Sequence, residues 1–323
     1  MSKTTNKTMN RRGFLQSTAA VGGGLIGASA LGSNIAWAST PLRLGSFFVA
    51  IDYAPYLIAK AQGAFEKIGG GSSVEYTMFQ SLPPINEAFG TGRIDAVFEA
   101  EPPALIAAAA GIDVKIVGIS CTLVQEILVP TSSNAQSAAD LAGAKIAVLA
   151  GTSSHYGVLK LLAAEGISAS DVEIIDMFPP DAKSAFQTGQ VDAWAVWPPF
   201  VEQEEIDGTG KVLPRGDAVI HSIMAVSGDL AKDDPDTVKA LVGVLEETKA
   251  WMIANPAEAM KTVATELDID LAVVELAWPR HDWTATLSDA VVADIQAKAD
   301  FLFEGDYVSS KVSVADMIDT SFT

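Results

Sequence analysis

Cysteine, histidine and basic side chains are scarce in this chain of 323 residues, which contains one cysteine, three histidines and 21 lysines and arginines. The single cysteine, Cys121, excludes an intrachain disulfide. The histidines stand at positions 155, 221 and 281, and none of them has the paired spacing of a zinc site. The signatures of serine hydrolases (Gly-x-Ser-x-Gly) and zinc proteases (His-Glu-x-x-His) are also missing. We therefore expect neither a metal nor a cofactor.

The few basic residues are unevenly distributed. Residues 1–38 contain four basic residues and no acid, whereas the remaining 285 residues contain 17 basic and 40 acidic ones, a net charge of −23. So acidic a body repels phosphate backbones and anionic lipid headgroups, which argues against nucleic-acid binding. With 49% apolar or aromatic residues, the chain is also too hydrophobic to be disordered.

Long apolar runs are missing after residue 38. The longest, at 102–110, is too short to span a bilayer, so we expect no stable membrane insertion. The first 38 residues have the features of an export signal. Arg11 and Arg12 precede Gly-Phe-Leu, a weakly apolar stretch follows, and Ala36-Trp37-Ala38 is a small-x-small cleavage site. The paired arginines resemble a twin-arginine signal, which predicts a periplasmic protein cleaved near Ala38.

An uncleaved N-terminal anchor is the alternative for this segment. Six glycines between Gly13 and Gly32 make it a poor permanent span.

Strand-like and helix-like segments alternate from residue 42 to about residue 220, which predicts α/β layers with largely parallel sheets. Among them are a first helix from about Pro55 to Lys67 and strands at Val74–Phe79 and Ala193–Val196. Each of two blocks, 42–120 and 126–220, contains a Gly-x-x-Asp-Ala step into a buried strand, at 92–96 and at 189–193. Two similar lobes imply a cleft between them, where α/β proteins bind ligands. From Pro235 to Phe303 the pattern is mostly helical.

Five segments make the resemblance to a family specific. They are Ala59–Glu66, Gly92–Ala96, Glu126–Pro130, Gly151–Tyr156 and the stretch Val191-Asp192-Ala193-Trp194-Ala195-Val196-Trp197-Pro198-Pro199-Phe200. In this order the chain resembles the periplasmic solute-binding proteins of ABC-type importers for sulfonates, taurine and nitrate. The resemblance covers essentially all of residues 42–320.

The resemblance implies a two-lobed periplasmic-binding-protein fold of type II, α/β in class. Each lobe has a largely parallel sheet flanked by helices, and two hinge crossings, near Val124–Leu128 and Ile223–Ser227, join the lobes. The predicted organisation is a signal peptide at 1–38, a first lobe at 39–125, a second lobe at 126–224 and a helical return to the first lobe at 225–323. It also implies a monomer whose partners are a small ligand, a membrane permease and that permease's ATPase.

The segment Gly151–Tyr156 is the best candidate for a ligand site. A strand that feeds Gly-Thr-Ser-Ser into a helix presents free N–H groups and hydroxyls at the positive end of the helix dipole, which suits an oxyanion. Ordinary capping of the helix is the alternative interpretation. The candidate ligand residues here are Thr152, Ser153, Ser154, His155 and Tyr156.

Aromatic and charged residues complete the candidate site. Trp194 and Trp197 would form a wall for the carbon part of the ligand, although we expect one of them, Trp194, to lie in the core. Phe48 and Asp52 follow the first strand, and Glu99 and Glu101 are expected in a loop after the strand 94–98. The alternative for Glu126 is a salt bridge, which we favour, and for Arg280 a solvated loop position. The full set of candidate ligand residues outside the Gly151–Tyr156 segment is Phe48, Asp52, Glu99, Glu101, Glu126, Trp194, Trp197 and Arg280.

The function implied by the resemblance is capture of a small organosulfonate, either a taurine-like zwitterion or an alkanesulfonate, for import. Nitrate, aromatic acids and pyrimidine precursors of thiamine are alternative ligands in the same fold. A sulfinate desulfinase is an enzymatic alternative, but it requires a reactive cysteine beside a histidine, and no histidine lies within thirty residues of Cys121. Pro198 stands where many family members have Asp, which weakens the case for an amine contact at that position. A sensor subunit would use the same cleft.

Overall fold

The computed structural model describes residues 41–322 except 48, 71, 72, 81 and 215. The predicted signal peptide and Phe48 therefore lie outside the described residues. None of the helices in the described part combines the length and the apolar character needed to cross a bilayer.

Strands and helices alternate along the first two thirds of the chain, as the sequence predicts. The strands are β1 (Leu42–Phe47), β2 (Val74–Phe79), β3 (Ala96–Ala100), β4 (Val114–Val124), β5 (Glu126–Pro130), β6 (Lys145–Val148), β7 (Glu173–Asp176), β8 (Ala193–Val196), β9 (Gly210–Val212) and β10 (Val219–Ser227). The α-helices are α1 (Ala54–Ala61), α2 (Leu82–Gly90), α3 (Glu101–Ala109), α4 (Ser153–Ala164), α5 (Pro179–Gln187), α6 (Phe200–Ile206), α7 (Gly228–Asp233), α8 (Pro235–Ala254), α9 (Pro256–Leu267), α10 (Leu271–Ala277), α11 (Asp289–Glu304) and α12 (Val314–Met317).

The strands form two sheets within the described residues, one in each lobe. The sheet of the first lobe has the order β2-β1-β3-β10-β4, and that of the second lobe has the order β7-β6-β8-β5-β9. In the first sheet β10 is antiparallel to both neighbours, and in the second sheet β5 is antiparallel to both neighbours. The other four strands of each sheet share one direction. The reversed strand is in each case the one by which the chain arrives from the other lobe.

The repeated Gly-x-x-Asp-Ala step has the same structural role in both lobes. Asp95 precedes β3 and accepts a hydrogen bond from the backbone N–H of Arg43 at 2.8 Å. Asp192 precedes β8 and accepts one from the backbone N–H of Lys145, also at 2.8 Å. Each aspartate thus ties the start of its strand to the neighbouring strand, β1 or β6.

This aspartate contact explains one difference from the sequence prediction. β3 begins at Ala96 rather than at 94, because the Asp95 side chain is bonded to the neighbouring strand before the ladder starts. The strand ends at Ala100, and α3 begins at the next residue. Prolines stand in the first turn of α3, where a backbone N–H would have no acceptor within the helix. Glu99 consequently lies within β3 and Glu101 opens α3, so neither lies in the loop that we expected.

The chain crosses between the lobes twice. The first crossing is Gln125, between β4 and β5, within the predicted region. The second lies between β9 and β10. Since β10 starts at Val219 and pairs with β3 and β4, the boundary expected at 224 falls inside this strand. Residues 217–227 contain no glycine, so the sequence shows no local break at position 224, where we expected the chain to leave the second lobe.

The C-terminal helices pack on the first lobe, with α8 and α9 against α1, and α11 against α3. Helices thus cover the first sheet, and every residue of β3 is buried. The packing of α11 on α3 also brings the C-terminal end of α11 next to the cleft between the lobes.

Candidate functional site

The loops after β1 and β8 meet across the cleft. The indole Nε1–H of Trp197 donates to the carbonyl oxygen of Val49 at 2.8 Å, and the N–H of Ile51 donates to the carbonyl oxygen of Pro198 at 3.3 Å. Both contacts join the carboxyl ends of strands from different lobes, which is the usual ligand-binding edge of α/β sheets.

The two candidate tryptophans are both buried. Trp194 lies in β8, is 1% exposed and packs against Phe186 and Phe200, so it belongs to the core, as we expected for it. Trp197 follows the strand and has its ring centroid 5.7 Å from that of Phe47 in the other lobe. Trp197 therefore serves the contact between the lobes.

The N-terminus of α4 lies at the carboxyl end of β6. Thr152 is the N-cap, because its hydroxyl oxygen accepts from the N–H of His155 at 3.3 Å, and the same hydroxyl donates to the carbonyl oxygen of Leu149 at 2.7 Å. The first N–H groups of a helix have no acceptor within the helix. Since the cap satisfies only that of His155, the N–H groups of Ser153 and Ser154 are available to an anion.

The hydroxyls of this segment differ in what they contact. Ser154 donates to the side-chain oxygen of Gln125 at 3.1 Å, and Gln125 in turn donates to the carbonyl oxygen of Val196 at 2.9 Å. The hydroxyls of Ser154 and Thr152 therefore hold the start of α4 in place, that of Ser154 on Gln125 and that of Thr152 on Leu149. Ser153 is 7% exposed, and its hydroxyl makes no hydrogen bond to the described residues.

His155 has a defined tautomer. Its Nδ1 accepts a hydrogen bond from the N–H of Gly151 at 3.2 Å, so in the neutral ring the proton lies on Nε2. Burial lowers the pKa of His155, an effect that Asp176 partly opposes, and the ring is therefore neutral at pH 7. The Nε2–H has no acceptor among the described residues and remains a free donor beside the helix N-terminus.

A cavity of about 230 Å³ lies between this end of α4 and the first lobe. The second lobe contributes Gly151, Thr152, His155, Tyr156 and Leu159, and the first lobe contributes Pro102, Ile106, Leu302 and Tyr307. Of the predicted site residues, the structure thus brings Thr152, His155 and Tyr156 to one cavity. No carboxylate is among its described lining residues.

Three of the predicted acids have side-chain partners in the protein. Asp52 is 3.3 Å from Nε2 of His281, Glu101 forms an ion pair with Nζ of Lys298, and Glu126 is 3.1 Å from a guanidinium nitrogen of Arg280. The salt bridge that we favoured for Glu126 is confirmed. These contacts satisfy carboxylates that would otherwise be costly to bury.

Glu99 is the exception. Its side chain is 2% exposed, its Oε2 has no hydrogen-bond partner among the described residues, and burial raises its pKa to about 8. The group is therefore mostly protonated and uncharged at neutral pH.

Arg280 binds carboxylates of the second lobe. Its guanidinium contacts Glu126, Glu202 at 2.9 Å and Glu205 at 2.6 Å, and we call these four residues the Arg280 cluster. Burial raises the pKa of Glu202 to about 7, although Arg280 opposes the shift. The cluster joins the lobes through three acids, so Arg280 is neither a solvated loop residue nor part of the cavity at α4.

Several residues at this cleft carry no local signal in the sequence. Lys298, His281, Gln125 and Tyr307 take their places through contacts with residues far away in the chain. Of these, His281 is next to a predicted site residue, Arg280, and its ring stacks on that of Trp283 with the centroids 4.8 Å apart.

The described residues contain no group of three or more His, Cys, Asp or Glu side chains that could hold a metal ion. Cys121 is fully buried, and burial raises the pKa of its thiol well above the usual value. Such a thiol is a poor nucleophile.

Comparisons with known proteins agree on one family. Residues 36–267 match the sequence profile of the NMT1-like family. A Bacillus subtilis protein named as an aliphatic sulfonates-binding protein is 33% identical over 279 residues, which are 83% of each chain. The alkanesulfonate-binding protein SsuA from Xanthomonas axonopodis pv. citri, solved with MOPS bound, has 28% identity and a TM-score of 0.77, covering 87% of this chain and 98% of that one. SsuA from Escherichia coli, a periplasmic aliphatic sulphonate binding protein, has 26% identity and a TM-score of 0.76, covering 87% and 92%.

Proposed function

The chain belongs to the NMT1-like family of solute-binding proteins, and we propose from this premise that it is the extracytoplasmic substrate-binding protein of an ABC importer and that its ligand is a small organosulfonate. The relatives and solved structures named above match it over most of their own length and are named for sulfonates. The alternatives in the same fold are other small anions such as nitrate.

One observation carries the proposed ligand class: the N-terminus of α4 borders a cavity between the lobes whose lining includes Thr152 and the neutral ring of His155. The Nε2–H of His155 has no acceptor among the described residues, and the same holds for the N–H groups of Ser153 and Ser154 in the first turn of the helix. A sulfonate has three oxygens that share one negative charge, so it can accept from several donors at once. A helix N-terminus stabilises such an anion without a positive side chain.

This arrangement explains how an acidic protein holds an anion. The predicted acids have partners within the protein, Lys298 for Glu101, Arg280 for Glu126 and His281 for Asp52, and Glu99 is mostly protonated. A helix N-terminus such as that of α4 favours an anion locally, even in a protein whose net charge is negative. The other candidate residues then contribute to the shape of the cleft and to contact between the lobes.

Transport requires partners that this chain does not contain. We expect the ligand to favour closure of the lobes and the closed monomer to dock on a membrane permease that is driven by an ATPase. The predicted twin-arginine signal and cleavage near Ala38 would deliver it to the periplasm. N-terminal sequencing of the exported protein tests the cleavage site, and a Ser39 start is the expected result.

Catalysis is not part of the proposal, because the nucleophile of the enzymatic alternative is unsuited to it. Cys121 is buried, and its thiol contacts the backbone oxygen of Asp52 at 3.5 Å. A desulfinase needs an accessible thiolate. Alkylation of the folded protein with iodoacetamide should leave Cys121 unmodified.

Calorimetric titration of residues 39–323 tests the ligand class. The protein is first unfolded and refolded to remove carried-over ligand and then titrated with butanesulfonate, isethionate, taurine, nitrate and butanoate. Binding of the sulfonates in preference to butanoate and nitrate is the expected result. Binding of nitrate or butanoate alone would overturn the sulfonate assignment.

His155→Phe tests the geometry of the site. This variant keeps a ring of similar size but removes the Nε2–H donor, so affinity for every sulfonate should fall about 10- to 100-fold. His155→Gln, which retains an N–H donor, is the matched control and should lose less. Equal affinities of wild-type protein and His155→Phe would exclude His155 from the site.

A further inference from the structure

The C-terminal end of α11 directs one aromatic side chain back over the helix. After Glu304 the chain turns through Gly305 and Asp306, which has a left-handed φ of 59°, and the N–H of Tyr307 donates to the carbonyl oxygen of Leu302 at 2.9 Å. This turn reverses the chain and brings the Tyr307 ring alongside Phe301, with the centroids 6.2 Å apart and the planes nearly parallel.

The Tyr307 ring packs directly against Gly305. A Cβ at Gly305 would lie 2.3 Å from Cε2 and 2.6 Å from Cδ2 of Tyr307, much closer than atoms can approach. The φ of Gly305 is −84°, which any residue adopts. The glycine is therefore needed for the close approach of the Tyr307 ring and not for the backbone turn.

In this position against Gly305, the Tyr307 ring contacts the second lobe. Its ring is edge-on to that of His155, with the centroids 6.3 Å apart, and it lines the cavity at the N-terminus of α4. Tyr307 is 39% exposed, unusual for a large apolar ring in this chain, so one side of it is open. The ring thus stands next to the free Nε2–H donor but on the opposite lobe.

The walls of the cavity divide into two kinds. The Nε2–H donor of His155 lies at the α4 end, whereas Pro102, Ile106, Leu159, Leu302 and the rings of Tyr156 and Tyr307 are carbon surfaces. Because no acid lines the described cavity, nothing there matches an ammonium group. A ligand held by its anionic head at α4 would direct its carbon part towards the surfaces of the first lobe.

We propose that Tyr307 is a ligand-contacting residue that determines specificity: its ring, held by Gly305, closes over the organic tail of the anion bound at α4. The proposal rests on the proposed function for the position of the anionic head. It adds a residue of the C-terminal return to the site, and it makes tail length and tail shape the properties that this residue selects.

A homologous series of ligands measures this contact. Methane-, butane-, hexane- and benzenesulfonate are titrated calorimetrically into wild-type protein, Tyr307→Ala, Gly305→Ala and Tyr307→Phe. In wild-type protein each methylene buried in the cavity should tighten binding by up to about fourfold. Tyr307→Ala should reduce this gain per methylene and weaken benzenesulfonate binding about two- to tenfold, while leaving methanesulfonate almost unchanged.

The other two variants separate a contact from a fold defect. Tyr307→Phe keeps the ring and should behave as wild type. Gly305→Ala displaces the ring without touching ligand, so it should reproduce the loss of tail dependence. Thermal unfolding monitors stability, and a general fold defect would weaken methanesulfonate as strongly as hexanesulfonate. The same gain per methylene in wild-type protein and Tyr307→Ala would overturn the proposal.

Carboxylates with the same tails distinguish a failure of the Tyr307 proposal from a failure of the proposed function. If only carboxylates bind, with a tail dependence that Tyr307→Ala reduces, the sulfonate assignment fails and the role of Tyr307 stands. If sulfonates bind with a tail dependence that Tyr307→Ala leaves intact, the role of Tyr307 fails alone. If neither series binds wild-type protein, both are wrong.

Discussion

The two lobes share one plan but differ in the groups that stand at the carboxyl ends of their strands. Each has a five-stranded sheet with a single reversed strand and an aspartate that ties two strands together. In the first lobe, the strand ends carry buried acids, and Lys298 and His281 of the C-terminal return contact two of them. In the second lobe, the strand β6 ends in a helix N-terminus whose donors are uncharged. The comparison teaches that an anion site in an acidic protein depends on local donors and on acids that are already paired.

The largest effect should come from breaking the neutralisation in the first lobe. Lys298→Met leaves Glu101, which is 0% exposed, without its cation, and this should lower the free energy of unfolding by about 3–5 kcal/mol in a urea titration. Lys311→Met is the control. Its pair with Asp300 is exposed, so its loss should cost about 1 kcal/mol or less. An equally small effect of both variants would show that Glu101 does not depend on Lys298.

The second largest effect on stability should come from the packing of α4 on Gln125, the first crossing between the lobes. A Cβ at Gly157 would lie 2.1 Å from Cγ and 2.6 Å from Cβ of Gln125, so Gly157→Ala should destabilise the protein by about 1–3 kcal/mol. Gly243→Ala in α8 is matched, because no atom lies within 4 Å of the added Cβ. It should stabilise by about 0.5–1 kcal/mol. Thermal and urea unfolding measure both, and a stable Gly157→Ala would contradict the close packing on Gln125.

Glu99 predicts a pH dependence of stability. Its pKa is raised from 4.5 to about 8, so between these values the folded protein holds a proton that the unfolded chain releases. Stability from this group is fully present below pH 4.5 and is lost as the pH rises through 8, with a slope of up to about 1.4 kcal/mol per pH unit. Glu202, with a pKa of about 7, acts in the same direction at lower pH.

Urea unfolding at pH 5, 6, 7 and 8 checks this prediction. Glu99→Gln should flatten the decline, above all from pH 7 to pH 8, where Glu202 has already lost most of its proton. Glu202→Gln is the comparison and should flatten the decline mainly below pH 7. A Glu99→Gln profile that parallels the wild-type profile would mean that Glu99 titrates normally.

The smallest effect compares the two aspartate contacts directly. Asp95 also accepts from the guanidinium Nε of Arg43 at 2.9 Å, whereas Asp192 accepts from a backbone N–H alone among the described residues. Asp95→Asn should therefore destabilise the protein more than Asp192→Asn, by about 1 kcal/mol, because a charge-assisted bond is lost as well. Equal unfolding free energies of the two variants would remove this difference between the lobes.

The sequence predicted the local elements well. The strands Val74–Phe79 and Ala193–Val196 are confirmed at both ends, and the helix after Gly151 begins close to the predicted place. The first helix was predicted to reach Lys67 but ends at Ala61, because Gly63 takes a left-handed φ of 61° and a short 3-10 helix follows. Periodicity, caps and turn residues are local signals. They predict where a helix or strand lies better than which other elements it packs against.

The α/β class and the helix N-terminus at Thr152–His155 could thus be inferred from the sequence by itself, since each depends on patterns of residues close together in the chain. The two-lobed fold came from the resemblance to a known family. Tertiary structure alone decided which charges meet. Glu126 and Arg280 are 154 positions apart, Glu101 and Lys298 are 197 apart, and Asp52 and His281 are 229 apart. No local pattern selects among the many acids and bases of a chain, because pairing is set by how helices pack on the sheets. For the same reason only the packing of α11 on α3 brought Tyr307 to the cavity.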